Sequence, residues 1–297
     1  MAAQDFDVVS DGWSYLECPR WHEGRLWVSD FYTERVVAID PDGGHEVIAE
    51  VPQQPSGLGF LPDGRLLIVS MRDHRILRRE HDGSLVEHAD LSGLVSNHLN
   101  DMVVDARGGA YVGNFGFDLM GGAPIARTTL THVAPDGTPR TIADDLLFPN
   151  GMVLFDRVLV VAETFGARLT AFDIADDGGL ARRRDWARFA PPPVTDDVGE
   201  ALGGLSVAPD GMGGDAEGAI WVADALHQRV LRVAEGGTIL EERPTGGLGV
   251  YACMLGGEDG QTLYACAAPS FAEHERRPVR EAVLLATRVD VPHAGLP

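Results

Sequence analysis

Apolar residues along this chain fall in short β-branched and aromatic runs bounded by Gly, Pro, Asp or Asn, and helical periodicity is nearly absent. The clearest runs are GRLWVSD at 24–30, GRLLIVS at 64–70, GGAYVGN at 108–114, DRVLVVAE at 156–163, GAIWVAD at 218–224 and QTLYACA at 261–267. Turn residues such as ProAspGly at 62–64 and AspAlaArgGly at 105–108 precede several of them, which is the punctuation of hairpins. Their starts lie about 40 to 60 residues apart, the period of propeller blades. A third strand follows most of them, as in ArgValValAlaIleAsp, ArgIleLeuArgArg, LeuThrAlaPheAsp and ArgValLeuArgVal, and AspGly or GlyGly turns lead to a fourth. The pattern predicts an all-β fold: a six-bladed β-propeller with four-stranded antiparallel blades around a central channel.

The chain is expected to form a single propeller domain over residues 1–297. Its last copy stops after a third strand, AVLLATRVD, near residue 290, and AspPheAspValVal near the N-terminus is placed to supply the missing outer strand. Such closure removes an exposed sheet edge. The strand order puts second-to-third connections and blade-to-blade connections on one face. The long insertions at 115–130, 190–203 and 268–280 all fall in those connections, so that face is predicted to carry a lid or substrate collar.

Each copy opens on one informative residue: Glu17, Ser56, Asn100, Asn150, Asp210 and, in the sixth, about Cys253. Equivalent positions converge on the propeller axis. Two carboxylates and two amide oxygens (Glu17, Asn100, Asn150, Asp210) would meet there, a donor set that suits hard divalent cations. Net charge is −21. That disfavours nucleic-acid and anionic-membrane partners, which need a basic footprint. No apolar run is long enough to span a bilayer, and the acidic N-terminus does not read as a secretory signal. Cys18, Cys253 and Cys266 show no CxxC spacing and fit a reducing, cytoplasmic setting. Cys18 is expected to point into the core.

The motifs resemble the SMP-30/gluconolactonase/luciferin-regenerating-enzyme family. The marks are Glu17-Cys18-Pro19-Arg20-Trp21, AsnAsp at 100–101, ProAsnGly at 149–151, and ProAspGly at 209–211 followed by AspAlaGluGly at 215–218 and TrpValAlaAsp at 221–224. The resemblance implies one divalent metal on Glu17, Asn150 and Asp210, with Asn100 completing or flanking the shell. It implies calcium first, with zinc, magnesium, manganese or ferrous iron also compatible, and hydrolysis of a small-molecule lactone or ester. The sequence departs from sugar-lactone members at His98, where they often carry Arg. His cannot offer the bidentate fork of Arg. Phe115, Phe117, Met120, Phe148 and Phe165 add an apolar character that suits a less polar lactone or ester.

In this reading the metal polarises the lactone carbonyl and Asp210 acts as general base toward water. Asp101, His98 and His227 are candidates for substrate positioning alongside Phe115, Met120 and Phe148. No GxSxG elbow is present, and Ser206 lies in a strand-like segment, which disfavours a serine hydrolase. Two alternatives stand beside the lactonase: hydrolysis of another ester or phosphotriester at the same site, and a non-catalytic, metal-stabilised binding propeller.

Overall fold

The β-branched and aromatic runs become strands because their side chains pack on both sides of a pleated sheet. A computed structural model of the chain describes residues 6–295. After β1 (Asp7–Trp13), the first blade holds β2 (Leu16–His22), β3 (Arg25–Asp30), β4 (Arg35–Ile39) and β5 (His45–Glu50). The second holds β6 (Pro55–Phe60), β7 (Leu66–Ser70), β8 (Arg75–Arg79) and β9 (Leu85–Asp90). The third comprises β10 (Leu99–Val104), β11 (Ala110–Asn114), β12 (Thr128–Val133) and β13 (Pro139–Leu146), and the fourth β14 (Pro149–Phe155), β15 (Val158–Glu163), β16 (Arg168–Ile174) and β17 (Leu180–Arg188). The fifth follows a short helix, α1 (Val198–Gly204), with β18 (Pro209–Gly214), β19 (Ile220–Asp224), β20 (Arg229–Val233) and β21 (Ile239–Pro244). The sixth has β22 (Gly249–Gly256), β23 (Thr262–Ala268) and, after α2 (Glu273–Arg276), β24 (Ala282–Arg288).

These strands form six four-stranded antiparallel sheets, and β1 is the outer strand of the sixth, paired with β24. Of the stretch at 5–9, Asp5 lies outside the described residues. Neighbouring inner strands touch in ring order, β2 against β6 and β22, and β10 against β14. The architecture is a six-bladed β-propeller. The inner strands are almost wholly buried, whereas the outer strands β5, β9, β13, β17 and β21 are largely exposed or half-buried. The core lies between blades, where Leu58, Ile68, Val36 and Val51 form one of several fully buried clusters. Close approach near the axis demands glycine: a Cβ at Gly57 would stand 2.5 Å from the backbone nitrogen of Met102. Among the described residues no helix is long and apolar enough to cross a membrane.

One feature of the inner strands is absent from the sequence pattern. In all six blades the register between first and second strand slips by one residue at the opening position. Leu99 faces Asn114 but Met102 faces Val112, and Pro209 faces Asp224 but Met212 faces Val222, with matching slips in the other four. A bulge re-aims the side chain it carries. Here it sits where each strand enters the channel. In the sixth blade the slip lies between Val250 and Ala252, so that copy opens around Tyr251. Cys253, the expected position, instead pairs with Ala265 below the bulge and is buried.

Candidate active site

The three insertions do gather on one face. Leu119 and Met120 from the first, Leu202 from the second, and Phe271 and Glu273 from the third line the same cavity as Glu17, Asn100, Asn150 and Asp210. Cavity depth follows from the axial position of the opening residues, and its walls from the loops above them.

Buried acids at the ends of second strands set the entry of three opening residues. Asp30 Oδ1 accepts the backbone amides of Ser14 and Tyr15, each at 3.0 Å, just before Glu17. Glu163 Oε2 accepts the amide of Leu147 at 2.8 Å, ahead of Asn150. Asp224 Oδ1 accepts the amide of Ala208 at 3.1 Å, ahead of Asp210. Some of the strained backbone lies nearby, since Cys18 (φ 54°), Gln54 (φ 71°) and Phe148 (φ 58°) are left-handed. Such conformations persist only where surrounding structure enforces them, and they cluster at functional sites.

Glu17 accepts the Tyr15 hydroxyl on Oε1 at 3.4 Å and the Cys18 amide on Oε2 at 3.2 Å. The Asn100 side-chain amide donates to the carbonyl of Pro149 at 3.2 Å. That of Asn150 donates to Thr164 Oγ1 at 3.3 Å, and Thr164 in turn donates to the carbonyl of Pro209 at 2.8 Å. The Asn100 amide nitrogen is thus spent on the next blade and that of Asn150 on Thr164 of its own blade, which leaves their oxygens available as donors to a cation. Asp210 Oδ1 is buried and has no hydrogen-bond partner among the described residues.

Burial and the neighbouring Asp101 raise the Glu17 carboxyl to about 8. Burial, then Glu17 and Asp101, push Asp210 well above the ordinary carboxylate range. Both directions report negative charge held out of water without compensation. Asp101 is already compensated: Arg20 Nη2 lies 2.9 Å from its Oδ1, and both side chains are buried. Arg20 also donates to the carbonyls of Pro19 and Met102. Glu17 and Asp210 therefore leave a formal deficit of two charges, which a divalent cation matches. Among the described residues no group of three or more His, Cys, Asp or Glu side chains is arranged to hold a metal; the set here mixes two carboxylates with two amides.

His98, Phe115, Met120 and Phe148 lie in the cavity wall, with Phe165. Phe117 stands behind them, packed on Phe148 and Phe165. Burial, and then the nearby Arg72, lower the His98 pKa, so its ring is neutral near neutral pH. Asp101 and His227 are not in the wall. The first is turned to Arg20 and the amide of Met102. His227 Nδ1 is held at 2.9 Å by the same Asp224 that pins Ala208. Cys18 is buried beside Ser56, and all three cysteines are unpaired. Ser206 sits in the bend after α1, not in a strand.

Sequence reasoning missed Tyr15, Gln54, Arg72, Thr164, Tyr251 and Glu273, all of which line the cavity. Tyr15 was within reach of the pattern, because strand alternation puts it on the same side as Glu17. The others depend on loop paths and bulges.

The chain is 27% identical over 295 residues to the 6-deoxy-6-sulfogluconolactonase of Pseudomonas putida, spanning 95% of this chain and 93% of that protein. The structure of regucalcin from Agrobacterium tumefaciens, described as a calcium-binding protein, matches at a TM-score of 0.78 and 20% identity over 96% of this chain and 94% of that one. A gluconolactonase from Xanthomonas campestris matches at a TM-score of 0.72 and 23% identity, over 98% and 89%. The latter two likenesses establish the fold alone. Residues 16–268 match the SMP-30/gluconolactonase/LRE-like region, and the chain belongs to that family.

Proposed function

We propose that this protein is a metal-dependent hydrolase that opens lactones to hydroxy acids. The observation that carries the reading is the pair of buried, uncompensated carboxylates, Glu17 and Asp210, at the floor of an accessible cavity beside two oriented amides. Glu17, Asn100, Asn150 and Asp210 would hold one divalent cation. Oxygen-only donors favour calcium, magnesium or manganese, with zinc and ferrous iron compatible. Calcium is placed first, and the calcium-binding description of the Agrobacterium relative supports that choice. The lactonase name of the Pseudomonas relative supports the reaction class.

A bound dication supplies polarisation of the lactone carbonyl and acidification of water. Asp210 takes the proton as water oxygen adds to the carbonyl carbon. The ring C–O bond then breaks and its oxygen leaves as the alcohol after accepting a proton, so lactone plus water gives one hydroxy acid. Tyr15 and the Cys18 amide fix Glu17, and Thr164 fixes Asn150. Phe115, Phe148 and Phe165 cover the carbon face of the substrate and exclude bulk water. That wall extends the substrate class from sugar lactones to less polar lactones and esters. The three reduced, buried cysteines suit a cytoplasmic protein.

The test is proton release by metal-stripped protein across sugar lactones and apolar γ- and δ-lactones, before and after each cation is restored. Cation-restored turnover is expected. Tight cation binding with no turnover of any lactone would sink the proposal. Asp210→Asn is expected to lose about a hundredfold or more in kcat, a hundredfold being the lower end of the general-base range. Full activity in that variant, with cation still bound, would clear Asp210 of the role.

A further inference from the structure

The cavity is uneven in a way that bears on what the substrate carries besides its lactone ring. Phe115, Leu119, Met120, Phe148, Phe165 and Leu202 come from blades three to five and the loops between them. Blades six, one and two also give apolar wall in Phe31, Met71 and Phe271, but they carry the polar rim residues Tyr32, Gln54, Arg72 and Glu273. Arg72 is the only Lys or Arg among the residues lining the cavity.

Its guanidinium is built into place. Gln54 Oε1 accepts from Arg72 Nε at 3.0 Å and from Nη2 at 2.8 Å. Gln54 is itself buried and held in the left-handed region at φ 71°. Its amide nitrogen donates to the sulfur of Met71 at 3.3 Å, so the amide cannot flip without losing both contacts. A strained, buried glutamine spent on orienting one arginine is costly unless that arginine has a task. Nη1 has no hydrogen-bond partner among the described residues, while Nη2 meets both carboxylate oxygens of Glu273 at 2.8 Å. Glu273 also pairs with Arg277 at 3.0 Å, so it keeps a cationic partner if Arg72 lets go. A carboxylate already rests on Arg72 at the cavity rim, and it belongs to the insertion that roofs the cavity.

We infer that Arg72 is the seat for an anionic substituent of the substrate, a carboxylate, sulfonate or phosphate remote from the lactone carbonyl, and that Glu273 is the counter-ion this group displaces. The inference rests on the lactonase reading for the ring-opening step, but not for the binding step. The need is physical: the chain carries a net charge of −21, and a cation held by Glu17 and Asp210 is matched by their own two charges. An anionic substrate therefore requires one fixed cation to enter. Guanidinium is the group whose planar fork matches such anions, and neutral His98 does not compete for them.

The test compares the γ-lactones of gluconic and glucaric acid, which share a ring and differ by a hydroxymethyl against a carboxylate. Arg72→Met is expected to lower the preference for the carboxylate-bearing lactone, read as the ratio of kcat/KM values, by about ten- to a hundredfold, the worth of a charge-assisted hydrogen bond. Glu273→Gln is expected to raise it. A ratio that stays within about threefold of wild type in both variants would overturn the inference. Calorimetric titration with gluconate and glucarate separates this outcome from failure of the lactonase reading. If no lactone turns over but Arg72→Met weakens glucarate selectively, the anion seat stands and the reaction class falls. Equal affinities of wild type and Arg72→Met for glucarate would overturn the seat whatever the turnover.

Discussion

Thr164→Val exchanges one hydroxyl for a methyl group of similar size and tests how the site is oriented. The hydroxyl accepts from Asn150 at 3.3 Å and donates to the carbonyl of Pro209 at 2.8 Å, so it ties blade four to blade five at the cavity floor. Both contacts are buried. A net hydrogen bond is worth about 1 kcal/mol, and a buried carbonyl left unpaired costs about 1–3 kcal/mol. A loss of about 2–3 kcal/mol is expected, or roughly 3–5 °C in Tm for a chain of this size. Freed from Thr164, the Asn150 amide loses the hydrogen bond that, by holding its nitrogen, leaves its oxygen free for a cation. Cation affinity should then fall by about 10- to 100-fold, the usual effect of losing an orienting outer partner. The assay is calorimetric titration of stripped protein with calcium and manganese, alongside thermal unfolding. Thr164→Ser keeps the hydroxyl and should stay close to wild type in both readouts. A destabilised Thr164→Val protein that binds cation as tightly as wild type would refute the reasoning, because Asn150 orientation would then not matter to the site.

Other expectations follow from the same geometry. In the cation-free protein Glu17 is raised from 4.5 to about 8, and Asp210 is raised in the same direction. The folded state therefore binds protons that the unfolded chain has released, and stability should fall as pH rises through that window. Melting of chelator-treated protein from about pH 5 to about pH 8 checks the sign, and a flat profile contradicts it. Cation addition should release protons and raise Tm more at the alkaline end. Arg20→Met leaves Asp101 unpaired beside Glu17 and Asp210, and should cost about 3–5 kcal/mol. Adding Asp101→Asn to that variant should recover part of the loss in urea unfolding, and no recovery would mean that Arg20 acts through packing. Gly57→Ala drives a Cβ to 2.5 Å from the Met102 nitrogen and 2.8 Å from the Asp101 carbonyl carbon, both backbone atoms. A loss of about 1–3 kcal/mol is expected, and an unchanged Tm would show that the two blades can part without cost.

The propeller was legible because its signal repeats. Each second strand stands near its expected place, as with GAIWVAD at 218–224 and the strand Ile220–Asp224. Hairpins are written locally, in turn residues and β-branched runs, so periodicity finds them. The four oxygen-bearing openings were legible for the same reason, since equivalent positions share one place in the ring. What failed was non-local. The sixth copy was placed about Cys253 because a bulge shifts register without marking composition, and the structure moves the opening to Tyr251. His227 looked like a rim residue until Asp224, buried and already holding Ala208, proved to hold it too. Arg72 and Glu273 are far apart in sequence, and only the roofing insertion brings them together. The helices α1 and α2 are a turn or two long, too brief to print a helical period.

The pairing of β1 with β24 also governs the order in which the ring can be completed. Asp7 lies against Ala286 and Trp13 against Ala282. During synthesis the earliest of the described strands must wait, unpaired, until nearly the whole chain has emerged. Contacts this distant in sequence slow folding, because loop closure must come before any reward. The waiting strand also shares its sheet with β22, whose Tyr251 stands in the cavity wall. Circular closure thus makes assembly of the cavity one of the last events in the life of the nascent chain, after every blade that contributes to it exists.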